Sequence, residues 1–184
     1  MEGQKAGIVA SGYKQVSSRA TPQAISKQLK LLPPASGPLD VRKRALHDLS
    51  TALAYVPEKD KAQVVAICKQ EEAAARLLQL LQDVWRSDAD GDPNNNSIRL
   101  GRKTLAFGAM DAQLYTLSCF VNLAYFGGCG QLRTKPDGVD LSAMQLFVDT
   151  LLYPDTSESV LFYAVAGLYN LSNDDSFAKV RVIC

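Results

Sequence analysis

The sequence holds little of what most chemistry needs. It has one histidine, His47, and its four cysteines, Cys68, Cys119, Cys129 and Cys184, form no CxxC pair. A zinc centre is therefore not expected, and neither is a disulfide framework. Three of the four cysteines stand in apolar surroundings, so reduced structural thiols are the economical reading. No apolar run is long enough to span a bilayer, and the opening stretch MEGQKAGIVASGYKQVSSRA lacks one of signal-peptide length. Glu2 stands where N-myristoylation needs glycine. A net charge of +1 gives no strong global field towards nucleic acid or membrane. The expectation is a cytoplasmic chain without nucleic-acid partner or membrane insertion, and nuclear, ciliary and cytoskeletal settings fit as well.

Three stretches resemble catalytic or binding motifs and fail on inspection. Asp88-Ala89-Asp90-Gly91-Asp92 looks like a calcium loop, but the frame puts Pro93 at the required glycine and Arg99 at the closing glutamate. Gly101-Arg102-Lys103-Thr104 looks like a phosphate loop, but Asn96 replaces its leading glycine and Arg102 its lysine. Gly127-Gly128-Cys129-Gly130 follows a helical pattern, whereas a dinucleotide loop precedes one. His47 has no nucleophile motif around it. No enzyme, no cofactor and no metal are expected.

What is present is helical periodicity. Residues 1–20 are polar with scattered Gly and Ser, and read as a flexible arm. Thr21-Pro22 is an N-cap followed by proline at the first helical position, with Ile25, Leu29 and Leu32 as the apolar stripe and Pro33-Pro34 as the stop. A second helix begins after Pro38, carries Ala45, Leu46, Leu49 and Leu53, and ends at Pro57. Lys59–Lys69 offers Ala62, Val65 and Ile67 to a core. Glu71–Val84 has a strongly helix-favouring composition, and the Asp, Gly, Pro and Asn of residues 86–100 interrupt it as a polar insert. Asp111–Phe126 is the next helix, ended by Gly127-Gly128. Asp140–Leu152 and Ser159–Ser172 follow across a break at Tyr153-Pro154-Asp155, and a last apolar stretch carries Phe177, Val180, Val182 and Ile183.

One short pattern recurs. Leu46-His47-Asp48-Leu49-Ser50, Phe120-Val121-Asn122-Leu123-Ala124 and Leu168-Tyr169-Asn170-Leu171-Ser172 each run large apolar, variable, Asn or Asp, Leu, small. In the last helix Leu161, Ala164, Val165, Leu168 and Leu171 are spaced as one buried face. Paired leucines at 31–32, 80–81 and 151–152 precede the three polar positions by 17, 42 and 19 residues, and the insert accounts for the long middle interval. The unit of roughly 45 residues falls in the range of armadillo and HEAT repeats.

Ala164–Ser172, with Ser118–Ala124 as a looser copy, resembles the third-helix signature of armadillo repeats. The resemblance covers residues 21–184 and implies an all-α, right-handed solenoid of about three units. The expected boundaries are 21–70, 71–130 and 138–184, the last opening an unfinished repeat. In that family the third-helix asparagines line a concave groove and bond an extended peptide. A carboxamide both donates and accepts, so it pairs a peptide group whatever its side chain. Asn122 and Asn170 are thus the candidate ladder, with Asp48 as an acceptor-only variant. The positions four residues earlier, occupied by tryptophan in nuclear-import receptors of the family, hold Arg44, Ser118 and Ala166 here. A basic cargo is not expected, and Arg42, Lys43 and Arg44 favour an acidic ligand. The expected function is a non-enzymatic module binding an extended segment of a partner protein. The alternative is a structural scaffold that docks folded partners through repeat edges, with both asparagines internal. Self-association or further repeats at the C-terminal edge are compatible with either.

Overall fold

The computed structural model describes residues 20–32, 38–89, 107–152 and 156–173, and every α or 3-10 segment among them is helical, with no strand. The N-terminal arm to residue 19, most of the polar insert and the Phe177–Ile183 stretch lie outside the described residues.

Helix α1, Pro22–Lys30, is capped as expected: Ala24 donates to Thr21 Oγ1 at 3.2 Å. Ile25 and Leu29 are its fully buried face. Helix α2, Leu39–Ala54, follows Pro38 and buries Leu46, Leu49, Ala52 and Leu53. A 3-10 turn at Glu58–Asp60 leads into α3, Lys61–Gln70. The core face of α3 is Val64 and Cys68 rather than Ala62 and Val65. Those two buried residues stand one turn apart, and Ala62 lies on the opposite, exposed side.

Helix α4, Ala73–Ala89, starts after a turn in which Glu72 adopts φ 52°, and it runs past residue 86 into the segment expected to be insert. Helix propensity through Trp85 carries the chain further than the Asp and Ser residues suggest. Helix α5, Phe107–Tyr125, ends in a Schellman motif: Gly128 N–H bonds Leu123 O at 2.8 Å and Gly127 N–H bonds Ala124 O at 3.0 Å. Gly127 makes this possible with φ 92°. A short helix α6, Cys129–Arg133, stands where only a turn was expected. Helices α7, Ala143–Leu152, and α8, Glu158–Ser172, complete the described chain.

One continuous core joins these elements, from Ile25 in α1 to Leu171 in α8. Helix α5 packs on α2, α4, α6 and α8, and α7 packs on α8. Two arginines tie off helix C-termini across the packing. Arg76 of α4 donates to Leu29 O at 2.7 Å, and Arg133 of α6 to Leu171 O at 2.8 Å. Both satisfy carbonyls that a helix end leaves open and oppose its negative dipole end.

The buried stripe of α8 differs from the sequence expectation. It is Val160, Ala164, Gly167 and Leu171, while Val165 is exposed. The reason is a close approach at Gly167. A Cβ there would lie 2.3 Å from two ring carbons of Phe147 in α7. Phe147 in turn meets Phe120 of α5 edge-on, with ring centroids 6.4 Å apart. The absence of one side chain thus seats the aromatic pair where three helices meet. Gly167→Ala would raise helix propensity by up to about 1 kcal/mol in isolation. Here it is expected to destabilise by about 1–3 kcal/mol through overpacking, measured by urea unfolding, and Phe147→Leu in the same chain should recover part of the loss. A stabilised single variant would contradict this packing.

Candidate functional site

The helices that carry the recurring pattern, α2, α5 and α8, form a row. Ser50 Oγ of α2 donates to Ser118 Oγ of α5 at 2.9 Å, buried from water. One turn earlier, the His47 and Tyr115 rings meet edge-on with centroids 5.0 Å apart. Both pairings ascend the two helices together, so α2 and α5 run parallel. On the other side of α5, Asn170 Nδ2 of α8 donates to Val121 O at 3.2 Å. Gln113 in the first half of α5 bonds Thr150 at the end of α7, next to the start of α8. The end of α5 lies beside α6, whose Arg133 reaches the end of α8. Helix α8 is therefore parallel to α5 as well.

The predicted residues take distinct places in this row. Asn122 and Asn170 come to one level, since Asn170 bonds the carbonyl of the residue beside Asn122. Each spends one amide proton on the protein itself: Asn122 Nδ2 donates to Ser118 O at 2.9 Å within its own helix. Both are half-buried. Each keeps a second amide proton and Oδ1 without a hydrogen bond among the described residues, which leaves a donor and an acceptor for a ligand.

Asp48 does not join them. The Ser50–Ser118 pairing sets Asp48 level with Thr116 and Asn122 level with Ala54. That displacement is six residues, or about 9 Å along the helix. Asp48 instead approaches His47 Nδ1 at 3.4 Å. Arg44 is exposed and Ala166 half-buried, whereas Ser118 is closed into the helix contact. Arg42 is not part of a solvated basic face: it is 4% exposed, and its Nε and Nη1 have no partner among the described residues.

Sequence reasoning missed the exposed aromatics. Tyr55 at the end of α2, Tyr125 at the end of α5, and Phe162 and Tyr169 on α8 are 51%, 63%, 68% and 66% exposed. Arg44, His47, Thr51 and Tyr55 follow helical spacing on α2, as do Ser118, Asn122 and Tyr125 on α5 and Phe162, Ala166 and Tyr169 on α8. The signal was available for α8, where Phe162 and Tyr169 stand two turns apart and opposite the buried stripe. Lys61 Nζ lies 4.1 Å from the Tyr125 ring centroid and anchors that ring from one side.

The thiols are closed off. Cys68, Cys119 and Cys129 are free and buried. Burial pushes the Cys68 thiol from 9.0 up to about 12. Burial also pushes the Cys119 thiol up, and the neighbouring Cys68 adds to it. Nucleophilic thiol chemistry needs the opposite shift. Among the described residues no group of three or more His, Cys, Asp and Glu could hold a metal ion, and no helix is long and apolar enough to cross a membrane. Comparison with protein-family models, with characterised proteins and with solved structures finds no match to this chain.

A pH dependence follows from the thiols. Unfolded cysteine ionises near 9.0 while folded Cys68 holds its proton to about 12. The stability contributed by the buried neutral thiols is therefore complete below pH 9.0 and is lost as pH rises through that interval. Urea unfolding midpoints should fall steadily above about pH 9, and Cys68 and Cys119 should resist a thiol reagent until the chain is denatured. Rapid labelling of either cysteine in the native protein at pH 8 would contradict their burial.

Proposed function

We propose that this protein is a non-enzymatic interaction module of armadillo-like construction that holds an extended segment of a partner protein. The units are α1–α2, α3–α5 and α6–α8, closing on α2, α5 and α8 in turn, and the whole forms a right-handed solenoid. The partner segment crosses α2, α5 and α8 in turn. The observation that carries the reading is the parallel row of three helices, with unspent amide groups on Asn122 and Asn170 beside exposed aromatic rings.

The dimensions suit a peptide. Packed helices stand about 8–10 Å apart, and an extended chain rises about 3.3 Å per residue, so each helix meets about every third peptide unit. Asn170 and Asn122 pair the peptide backbone, and Tyr125, Phe162 and Tyr169 cover its apolar side chains. At the α2 end the exposed side chain nearest the Asn122 level is Tyr55, one residue past Ala54, whereas Arg44 lies ten residues, about 15 Å, lower on the helix and stands away from the same segment.

The scaffold alternative has its own support. Asn170 already bridges α8 to α5, as an internal structural residue would. The two readings separate in one experiment. Extended peptides selected from a random library on the wild-type chain would be measured by fluorescence anisotropy against Asn170→Ala and Tyr169→Ala. Asn170→Ala should cost about 1 kcal/mol of stability because the Val121 carbonyl loses its donor. Tyr169→Ala, at an exposed position, should leave unfolding nearly unchanged. Under the groove reading both variants weaken the same peptides by at least about tenfold, roughly 1.4 kcal/mol. If no peptide is selected, or the peptides bind both variants unchanged, the groove reading fails and the scaffold reading stands.

A further inference from the structure

Three exposed tyrosines, one on each helix of the row, stand at nearly one level. Tyr55 lies five residues beyond Ser50, so the Ser50–Ser118 pairing sets it level with Asn122 and Leu123 of α5. Tyr169 precedes Asn170, whose amide reaches the Val121 carbonyl, and so stands near Val121. Tyr125 is the last residue of α5 itself. Along the helix axes the three therefore start within about 7 Å of one another, on parallel helices spaced about 8–10 Å apart. Each ring is more than half exposed.

The surface around them is neutral. Helix α5 carries one charged residue, Asp111, ten residues before Val121, and α8 one, Glu158, eleven before Tyr169. Lys61, against the Tyr125 ring, is already paired with Glu58. What the level does hold is hydrogen-bond donors. Asn122 and Asn170 each keep one amide proton, and the tyrosine hydroxyls add their own.

We infer that the segment taken by this groove is an uncharged, proline-rich one in the polyproline II conformation. The inference rests on the groove reading above and names the class of segment. Periodicity selects it. In a β-extended segment side chains alternate between two faces, so residues three apart, one per helix, point to opposite sides. Tyrosines on successive helices would then meet opposite faces of the chain. A polyproline II helix has three residues per turn and rises about 3.1 Å per residue, so every third side chain returns to one side after about 9 Å. That interval matches the helix spacing, and one proline ring lies against each of Tyr55, Tyr125 and Tyr169.

Hydrogen bonding and charge agree with the period. Proline has no N–H, and polyproline II makes no internal hydrogen bonds, so such a segment offers solvated carbonyl acceptors alone. The asparagine amides and tyrosine hydroxyls are the donors that match them. A neutral surface likewise suits an uncharged segment, since an ionised residue placed there would lose water and find no partner. Proline's fixed φ also lowers the conformational entropy lost on docking to an open surface.

The test uses the full chain and defined probes. Fluorescein-labelled nonaproline and a nine-residue alternating Thr–Val peptide are titrated by anisotropy against the wild type, Tyr125→Ala, Tyr169→Ala and Tyr125→Phe, with unfolding midpoints measured for each. Nonaproline should bind at least about tenfold more tightly than the Thr–Val peptide. Each alanine variant should weaken it several-fold, and Tyr125→Phe, which keeps the ring and the fold, should retain most of the binding. Peptides selected from a random library should carry prolines three residues apart. Selected peptides that need Tyr169 and Asn170 but lack proline, or equal binding of the Thr–Val peptide, would overturn the polyproline inference and leave the groove standing. Nonaproline binding untouched by the tyrosine variants would place its site elsewhere and overturn the inference as well. If neither probe binds and the library yields nothing, the inference and the groove reading fail together.

Discussion

The hydroxyl pair of Ser50 and Ser118 sets the register from which the rest of the row follows. Two small side chains at the contact let α2 and α5 approach closely, and their mutual hydrogen bond removes the cost of burying two polar groups. A bond between side chains this short tolerates no slip of the helices by a turn. It also decides which residues share a level: Thr51 stands beside Ser118 and Tyr55 beside Asn122, while Arg44 and His47 lie lower, at Ala112 and Tyr115 of α5.

Helix α5 is the element both neighbours are measured against. It takes Ser50 and His47 from α2 on one side and the Asn170 amide from α8 on the other. Behind it, Phe120 meets Phe147, and Phe147 fills the space that Gly167 leaves. Polar bridges thus fix α5 against its neighbours on either side, and aromatic packing fixes it on the core side. The amide groups of Asn122 and Asn170 that serve this stack each keep a second proton and an oxygen without a hydrogen bond among the described residues. A carboxamide can do both because it has two donors and an acceptor; a carboxylate at the same place could not.

The sequence made the helices legible and their facing much less so. Thr21-Pro22, Pro57 and Gly127-Gly128 marked ends that the structure keeps, because caps and breakers act locally. The recurring pattern pointed to α2, α5 and α8 as a set. It misled on Asp48, since five residues of loose pattern fix no register when the helices end at different distances from it: Ala54 lies six residues past Asp48, but Tyr125 only three past Asn122. The paired leucines were equally ambiguous, for Leu80 and Leu81 are buried while Leu151 and Leu152 are exposed. The stripe of α8 was read one position wrong because a glycine does not look like a core residue in a hydrophobicity pattern. Its role appears only once the Phe147 ring is in place. The exposed rings at Tyr55, Tyr125, Phe162 and Tyr169 escape a sequence reading for the same reason: hydrophobicity alone does not tell a covered aromatic from an exposed one.

The register of α2 against α5 is open to direct measurement, since His47 is the chain's single histidine and its ring protons stand apart in an NMR spectrum. With the His47 and Tyr115 ring centroids 5.0 Å apart, a nuclear Overhauser effect between the two rings is predicted. The alternative alignment, in which Asp48 matches Asn122, sets His47 beside Val121. Contacts from the imidazole to the Val121 methyls, with none to Tyr115, would contradict the register and with it the groove drawn on these three helices.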